Sequence, residues 1–304
     1  MSTHGQDLSH GAAWMRGKIM PTSEAAIPVT DWGLTHSDIT YDVVHAWEGR
    51  FFRLDDYLTR FEASLEKCHL KIDQTRDDIR QILHQIVAQS QLQNSYVSFV
   101  ASRGQPTIPG SRDPRDCANH FYAWCVPFIW VFSQDVQQRG AHLQMPEGIH
   151  RIGSSSVDPL AKNYHWGDFT QGLIHAKESG FDNTLLLDAQ GLLTEGPGFN
   201  IFIVKNNNIA TPRSGVLGGI TRKIAIEICI HHHLSVEEKD ISAAELRDAD
   251  EVFVTTTGGG VVSVTRINEH VFSNDAPGEV TQQLRETYWN WHTDPSMGEA
   301  INYG

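Results

Sequence analysis

A lysine, a carboxylate and two glycine-bearing turns are the parts of this sequence that could do chemistry. Lys162 sits in Asp158-Pro-Leu-Ala-Lys162-Asn-Tyr-His-Trp-Gly-Asp168. A lysine amine can condense with a carbonyl, exchange that imine for another amine and then move protons as a free base. Residue type alone is no argument, because most lysines are solvated surface charges. Glu195 stands in Thr194-Glu195-Gly-Pro-Gly-Phe-Asn200. Gly196 and Gly198 suit a backbone that must come close to something, although Thr-Glu-Gly is also ordinary turn chemistry. Gly218-Gly219 leads into Ile220-Thr221-Arg222-Lys223, the form of a helix start, whose free amides and positive dipole end favour an anion. Thr255-Thr256-Thr257 precedes three glycines; it offers hydroxyls, or is simply a β-branched strand end.

Taken in chain order, these four segments resemble the signature segments of pyridoxal-5′-phosphate (PLP) enzymes of fold type IV, the branched-chain/D-amino-acid aminotransferase group. The upstream stretches His36-Ser-Asp-Ile-Thr-Tyr-Asp42 and Phe51-Phe-Arg-Leu-Asp-Asp-Tyr-Leu-Thr-Arg60 look like those of its (R)-selective amine transaminases. The resemblance runs from about Trp14 onward. It implies PLP as cofactor, with Lys162 as its carrier and catalytic base. It puts Glu195 at the pyridine nitrogen, where a carboxylate holds the proton that makes the ring an electron sink. It gives the phosphate to Arg60, the amides of Ile220 and Thr221, and the hydroxyls of Thr256 and Thr257. The ordinary alternative for Arg60 is a helix-surface ion pair with Asp56, four residues earlier. His36, Tyr41, Val43, Tyr96 and Trp166 would line the substrate pocket; a satisfied core histidine or tyrosine is the plainer reading of the first two.

The resemblance further implies a ping-pong transamination from a primary (R)-amine to a keto acid such as pyruvate. The alternatives on the same fold are a branched-chain L- or D-amino-acid aminotransferase and, further off, an aminodeoxychorismate lyase; a non-catalytic protein that kept the fold is a third kind. One departure bears on this choice. Several relatives carry a carboxylate-binding arginine in the loop that here reads Gln105-Pro-Thr-Ile-Pro-Gly-Ser111, with Pro109 near that place. Arg103 and Arg112 flank the loop and could substitute, since a guanidinium grips a carboxylate bidentately. Members of the fold usually work as homodimers, and a homodimer is expected here.

The elements that must position these residues are legible from periodicity. Strand-like stretches open the chain at Trp14–Ile19, Ala26–Thr30 and Tyr41–Trp47, the last turning through Glu48-Gly49 into Phe51–Leu54. From Asp55, Leu58, Phe61, Leu65 and Cys68, then Ile79, Ile82, Leu83, Ile86 and Val87, recur at three- and four-residue spacing and predict two amphipathic helices. Tyr96–Ser102 and Phe121–Pro127 return to strand, with a Gly/Pro-rich loop from Gly104 to Pro114 between them. The second half predicts strands at Thr184–Leu187, Ile201–Val204, Val252–Thr256 and Val261–Ile267, and helices at Trp166–Glu178, Thr221–His232 and Glu279–Trp291. Ser242 and Glu245 have the spacing of a capping box. The fold class is therefore α+β. It divides into a smaller N-terminal α/β domain (1–129), a linker (130–137) and a larger C-terminal domain with a mixed sheet or barrel (138–304).

The totals agree. Hydrophobic residues are 40% and charged residues 20% of 304, ordinary globular usage that argues against disorder or a fibre. A net charge of −13 disfavours nucleic acid as a partner. The longest apolar runs, Trp124–Phe132 and Asn200–Val204, are far short of the roughly 20 residues of a membrane span, and residues 1–11 read as a loose polar tail rather than a secretory signal. Cys68, Cys117, Cys125 and Cys229 show no CxxC spacing and suit reduced thiols in a cytoplasm. His231-His232-His233 lacks partners at metal-ligand spacing and reads as a helix end, with no metal expected.

Overall fold

The computed structural model describes residues 7–304, so residues 1–6 of the expected tail lie outside the described residues. Along the chain come β1 (Ala12–Met15), β2 (Lys18–Pro21), α1 (Trp32–Thr35), β3 (Ile39–Trp47), β4 (Arg50–Phe52), α2 (Leu54–Lys67), α3 (Arg76–Ser90), β5 (Ser95–Pro106) and β6 (Cys117–Pro127). There follow α4 (Gln134–Arg139), β7 (Ala141–Gln144), α5 (Gly167–Glu178), β8 (Asn183–Thr184), β9 (Glu195–Gly196), β10 (Phe199–Lys205) and β11 (Asn208–Pro212). Next are α6 (Ile220–His231), β12 (Ser235–Lys239), α7 (Ala243–Arg247), β13 (Glu251–Thr256), β14 (Gly260–Ile267), β15 (His270–Val271), α8 (Glu279–Trp291) and β16 (Gly298–Ala300).

The chain forms two compact units. The first holds residues up to 129 together with 161–164 and 294–304; the second holds 130–160 and 165–293. Residues 130–137, expected as a linker, fall inside the second unit, and Ser133 caps α4 there by accepting from the Val136 amide. Two short returns, around Lys162 and at 294–304, belong to the first unit instead of the second. Composition gave no signal for these returns, because neither segment is long enough to show a period.

The first unit is built on a seven-stranded sheet in the order β16-β4-β3-β5-β6-β1-β2, antiparallel throughout. Its β3–β5 register pairs Tyr41 with Val100 and Val43 with Ser98, and β5–β6 pairs Val100 with Tyr122 and Ser98 with Trp124. Side chains alternate across a pleat, so Tyr41, Val43, Ser98, Val100, Tyr122 and Trp124 share one face. Helices α2 and α3 cover the other. There the Phe61 ring meets Phe99 at 4.9 Å and Phe121 at 6.2 Å. Helix α2 begins where Arg53 takes a left-handed conformation (φ 55°), with Asp55 and Asp56 in its first turn and Lys67 in its last, charges that complement the helix dipole. Leu54, predicted to end a strand, is therefore the first helical residue. Ala26–Thr30, also predicted as strand, is irregular and leads to Asp31, whose side chain caps α1. Pro28 interrupts that run and removes a donor a ladder would need.

The second unit is built on a nine-stranded sheet with the path β12-β11-β10-β13-β14-β7-β8, β15 pairing with β14 and β9 with β10. It is mixed: β11–β12, β14–β7 and β7–β8 run parallel, the remaining pairs antiparallel. Its core gathers Leu143, Leu185, Phe199, Ile201, Val254, Val262 and Leu246. At the β13–β14 turn a Cβ on Gly260 (φ 73°) would come within 2.5 Å of the Tyr288 ring of α8, so glycine there permits both the turn and the helix approach. The Ser242–Glu245 capping box is present and opens α7. His231 ends α6 and His232 caps it, its ring 2.7 Å from the Thr287 hydroxyl.

Candidate active site

Lys162 is held by the first unit. The Tyr41 amide and the Thr40 hydroxyl donate to its carbonyl at 3.2 and 2.7 Å, and its own amide donates to the Ser64 hydroxyl at 3.4 Å. Its Nζ lies 4.5 Å from the centre of the Tyr41 ring, a position that favours an ammonium over the aromatic face. Tyr164, two residues on, packs its ring 4.4 Å from that of Tyr41. Asn163 between them forms an antiparallel bridge with Thr40, and Lys162 Nζ and the Tyr164 ring both lie near the Tyr41 ring.

That face is an aromatic and aliphatic wall: Ile39, Tyr41, Val43 and Val100 buried, with Tyr96, Tyr122 and Tyr164 packed against them. Burial pushes the phenols of Tyr96, Tyr122 and Tyr164 above the ordinary tyrosine range, and the neighbouring Tyr41 adds to this at Tyr96 and Tyr164. They remain neutral donors at physiological pH. Of the predicted pocket residues, the structure brings Tyr41, Val43 and Tyr96 together here. His36 is not among them: it is exposed and stacks on Trp32 at 4.5 Å. Trp166 belongs to the second unit and packs edge-on against Phe169. Tyr122 and Tyr164 were missed by sequence reasoning. The strand register across β3, β5 and β6 would have found Tyr122, but register is not readable from one strand's alternation.

Arg60 projects from α2 to β3. Its Nε and Nη2 donate to the two carboxylate oxygens of Asp42 at 2.8 and 2.6 Å, and Asp42 is fully buried. Burial works against the guanidinium's charge, and Asp42 offsets it to leave Arg60 above its ordinary value. Asp56, the partner expected as the alternative, pairs with Arg53 at 2.6 Å. Arg103, a candidate for gripping a carboxylate, is committed to Asp38 at 2.8 and 3.1 Å and to the carbonyls of Cys68 and His69. Arg112 is exposed.

In the second unit Glu195 lies on β9 and is buried. One carboxylate oxygen takes the Leu217 amide at 2.9 Å and the Asn200 side-chain amide at 3.3 Å; the other faces Arg151 Nε at 3.4 Å. A Cβ on Gly196 would strike the Phe199 ring and the Thr184 carbonyl, and one on Gly219 would strike Asn200 Oδ1. Glycine at both places allows the approach that orients Glu195.

Helix α6 starts at Ile220 with Gly219 as its cap, and has neither a capping side chain nor an acidic residue in its first turn. Its first amides have no helical acceptors. Thr221 is 2% exposed and its hydroxyl has no hydrogen-bond partner among the described residues, and the same holds for the Thr255 hydroxyl. Buried unsatisfied hydroxyls are uncommon, and a phosphate oxygen is an acceptor both could use. The residues present thus fit an anionic cofactor. Thr256 differs from Thr255 in that its hydroxyl accepts the Gly258 amide at 3.2 Å. Arg222, despite its position beside Thr221, turns to the Pro212 carbonyl and Glu238.

Comparison with known proteins gives this arrangement its class. The fold matches that of a solved branched-chain amino acid aminotransferase from Thermobaculum terrenum in its PLP-form, with a TM-score of 0.85 at 23% identity over 98% of this chain and 100% of that one. The molecule has the fold of an aminotransferase. The profile of the amino-transferase class IV family matches residues 40–267, and the chain belongs to that family. A Methanocaldococcus jannaschii protein provisionally named a branched-chain-amino-acid aminotransferase is 27% identical, over 90% of this chain and 94% of its own length. The D-alanine aminotransferase of Bacillus licheniformis is 26% identical over the same shares.

Proposed function

We propose that this chain is a PLP-dependent aminotransferase that passes the amino group of an amino acid to a 2-oxo acid, of the branched-chain or D-amino-acid type. The observation that carries the cofactor is the uncapped, acid-free start of α6 with the unpartnered Thr221 hydroxyl in its first turn. Membership of the class IV family and the two aminotransferase relatives support the reaction. When bound, PLP supplies a carbonyl that condenses with amines and a ring that accepts the electron pair left behind by a departing proton.

The chain's own residues then divide the work. Lys162 Nζ would hold the cofactor's carbonyl carbon, and as a free amine it would be the base that takes and returns the substrate proton. Glu195, oriented by Leu217 and Asn200, would hold the proton of the ring nitrogen. The amides of Ile220 and Thr221 and the Thr221 hydroxyl would hold the phosphate, and Arg60, Thr257 and Thr256 are assigned to it as well. Thr255 joins this set on the strength of its own unpartnered hydroxyl. Tyr41, Val43 and Tyr96, with Tyr122, would bound the substrate, and His36 and Trp166 are assigned to it by the family resemblance alone. A homodimer in the cytoplasm goes with this reading.

A second reading, transfer from a primary (R)-amine to pyruvate, is favoured by one specific feature: Arg103 is spent on Asp38 and backbone carbonyls, and Pro109 stands where relatives carry an arginine. An apolar wall with fewer carboxylate grips suits an amine without a carboxylate. The test is a visible spectrum of the wild type and Lys162→Ala with PLP, then a donor panel of leucine, both alanines and both 1-phenylethylamines. Cofactor absorbance lost in Lys162→Ala, with leucine or D-alanine as the best donor, supports the first reading. Preference for (R)-1-phenylethylamine supports the second. A wild type that binds no PLP overturns both.

A further inference from the structure

Arg151 lies eleven residues before Lys162 in the sequence, in a loop, and no role above uses it. It is nevertheless among the most constrained charges in the second unit. Its relative exposure is 9%. Its amide donates to the Leu187 carbonyl at 2.8 Å. Its Nη1 donates to Asp168 at 2.7 Å, and its guanidinium sits 4.1 Å from the centre of the Phe169 ring. Asp168 is itself fixed, since the Ile152 and Phe169 amides donate to its carboxylate at 2.7 and 2.8 Å. The remaining edge of the guanidinium presents Nε to Glu195 at 3.4 Å.

The two carboxylates are not held alike. The contact with Asp168 is a short charge-assisted bond, while that with Glu195 is long and weak. Bidentate pairing with one carboxylate is a guanidinium's strongest mode, and Arg151 instead divides its donors, Nη1 to Asp168 and Nε to Glu195. Here its main partner anchors it and its weaker one receives an oriented positive charge. A neighbouring cation favours the ionised form of a carboxylate, and the fixed geometry stops the Glu195 oxygen on that side from turning away. The opposite oxygen is held by Leu217 and Asn200, so the carboxylate is fixed on both sides.

We propose that Arg151 is a positioning residue for Glu195: anchored by Asp168 and Phe169, it keeps that carboxylate anionic and in one orientation, so that it favours a cofactor whose ring nitrogen carries a proton. This rests on the proposed role of Glu195 toward PLP. The consequence is selectivity for the ring nitrogen. Loss of Arg151 removes the advantage of PLP over an analogue in which carbon replaces that nitrogen and which cannot be protonated there.

The experiment measures dissociation constants of PLP and of 1-deaza-PLP for the apo-protein by fluorescence quenching, in the wild type and in Arg151→Met, Arg151→Gln and Arg151→Lys. The wild type is expected to prefer PLP at least tenfold. Either neutral variant should shrink that ratio below threefold, and Arg151→Lys, which keeps the charge, should restore most of it. Two neutral side chains of different shape are included so that a variant with wild-type circular dichroism is in hand. If a folded neutral variant weakens both ligands equally and leaves the ratio at its wild-type value, Arg151 is a packing residue and the inference is overturned. If the lysine variant behaves as the neutral ones do, the charge is not what matters and the inference also falls. A wild type that binds neither ligand refutes the cofactor reading itself, a separate result.

Discussion

The Asp42–Arg60 pair permits a quantitative test of how the first unit is held together. Asp42 has no solvent exposure and the Arg60 side chain has 10%. Asp42→Ala takes from the buried guanidinium the carboxylate to which its Nε and Nη2 donate, which costs about 3–5 kcal/mol. Arg60→Met leaves the carboxylate with the Val43 amide, which donates to it at 2.7 Å, as a named remaining donor; the cost is roughly 3 kcal/mol. Independent sites would therefore lose about 6–8 kcal/mol together, comparable to the whole stability of an ordinary domain. In the double variant no charge is stranded. What remains is a lost hydrogen-bonded pair and a modest hole, on the order of 2–3 kcal/mol. The coupling energy should accordingly be about 3 kcal/mol or more, several times what a surface ion pair gives. Urea denaturation of the cofactor-free protein, followed by tryptophan fluorescence in all four members of the cycle, measures it. Singles that add to the double within about 0.5 kcal/mol would show that the pair is not coupled, and the burial argument for Arg60 would be wrong.

Two further outcomes are expected. Thr221→Val removes a buried hydroxyl that has no partner among the described residues; it should raise the stability of the cofactor-free protein by about 1 kcal/mol while weakening PLP binding roughly tenfold, opposite signs that thermal melts with and without PLP will register. His292 is buried against the α8 carbonyl of Tyr288, and burial pushes its imidazole down to about 4 from 6.5. Its contribution is complete above pH 6.5 and falls as the unfolded chain takes up the proton first, reaching a loss of about 2 kcal/mol by pH 5. Urea midpoints of His292→Gln should fall less than those of the wild type between pH 7 and pH 5. Equal slopes would contradict the sign.

The helices were the most legible part of the fold. Glu279–Trp291 falls where its period predicts, because an amphipathic stripe of this length has one way to bury its face. Strands with short or parallel partners were less so: β11, β12 and β7 carry no private alternation, and Ala26–Thr30 had the composition of a strand without a neighbour to pair with. For the proposed site, the segments that hold Lys162, Glu195 and the α6 start could be picked out by their motifs. Arg151 was not, since a lone arginine in a loop has no spacing to betray it, and its meaning comes entirely from Asp168, Phe169 and Glu195 converging on it. Thr255 was passed over for Thr256 because strand alternation cannot say which hydroxyl finds a partner in the turn beyond. His36 is a motif residue whose side chain stacks on Trp32 and is exposed, which no motif foretells.

The strand at 298–300 has a consequence for the order in which the protein can be made. β16 covers the edge of β4, with Ile301 donating to the Gly49 carbonyl and Arg50 reaching the carbonyls of Pro295 and Gly298. On a ribosome the first unit therefore begins to assemble early but cannot close its sheet until residues 298–300 have emerged, after the run 165–293 of the second unit. Throughout that interval β4 presents an open edge to other nascent chains. Its shortness, three residues with Arg50 at the outset, limits how well a stray strand can dock there while the proper one is awaited.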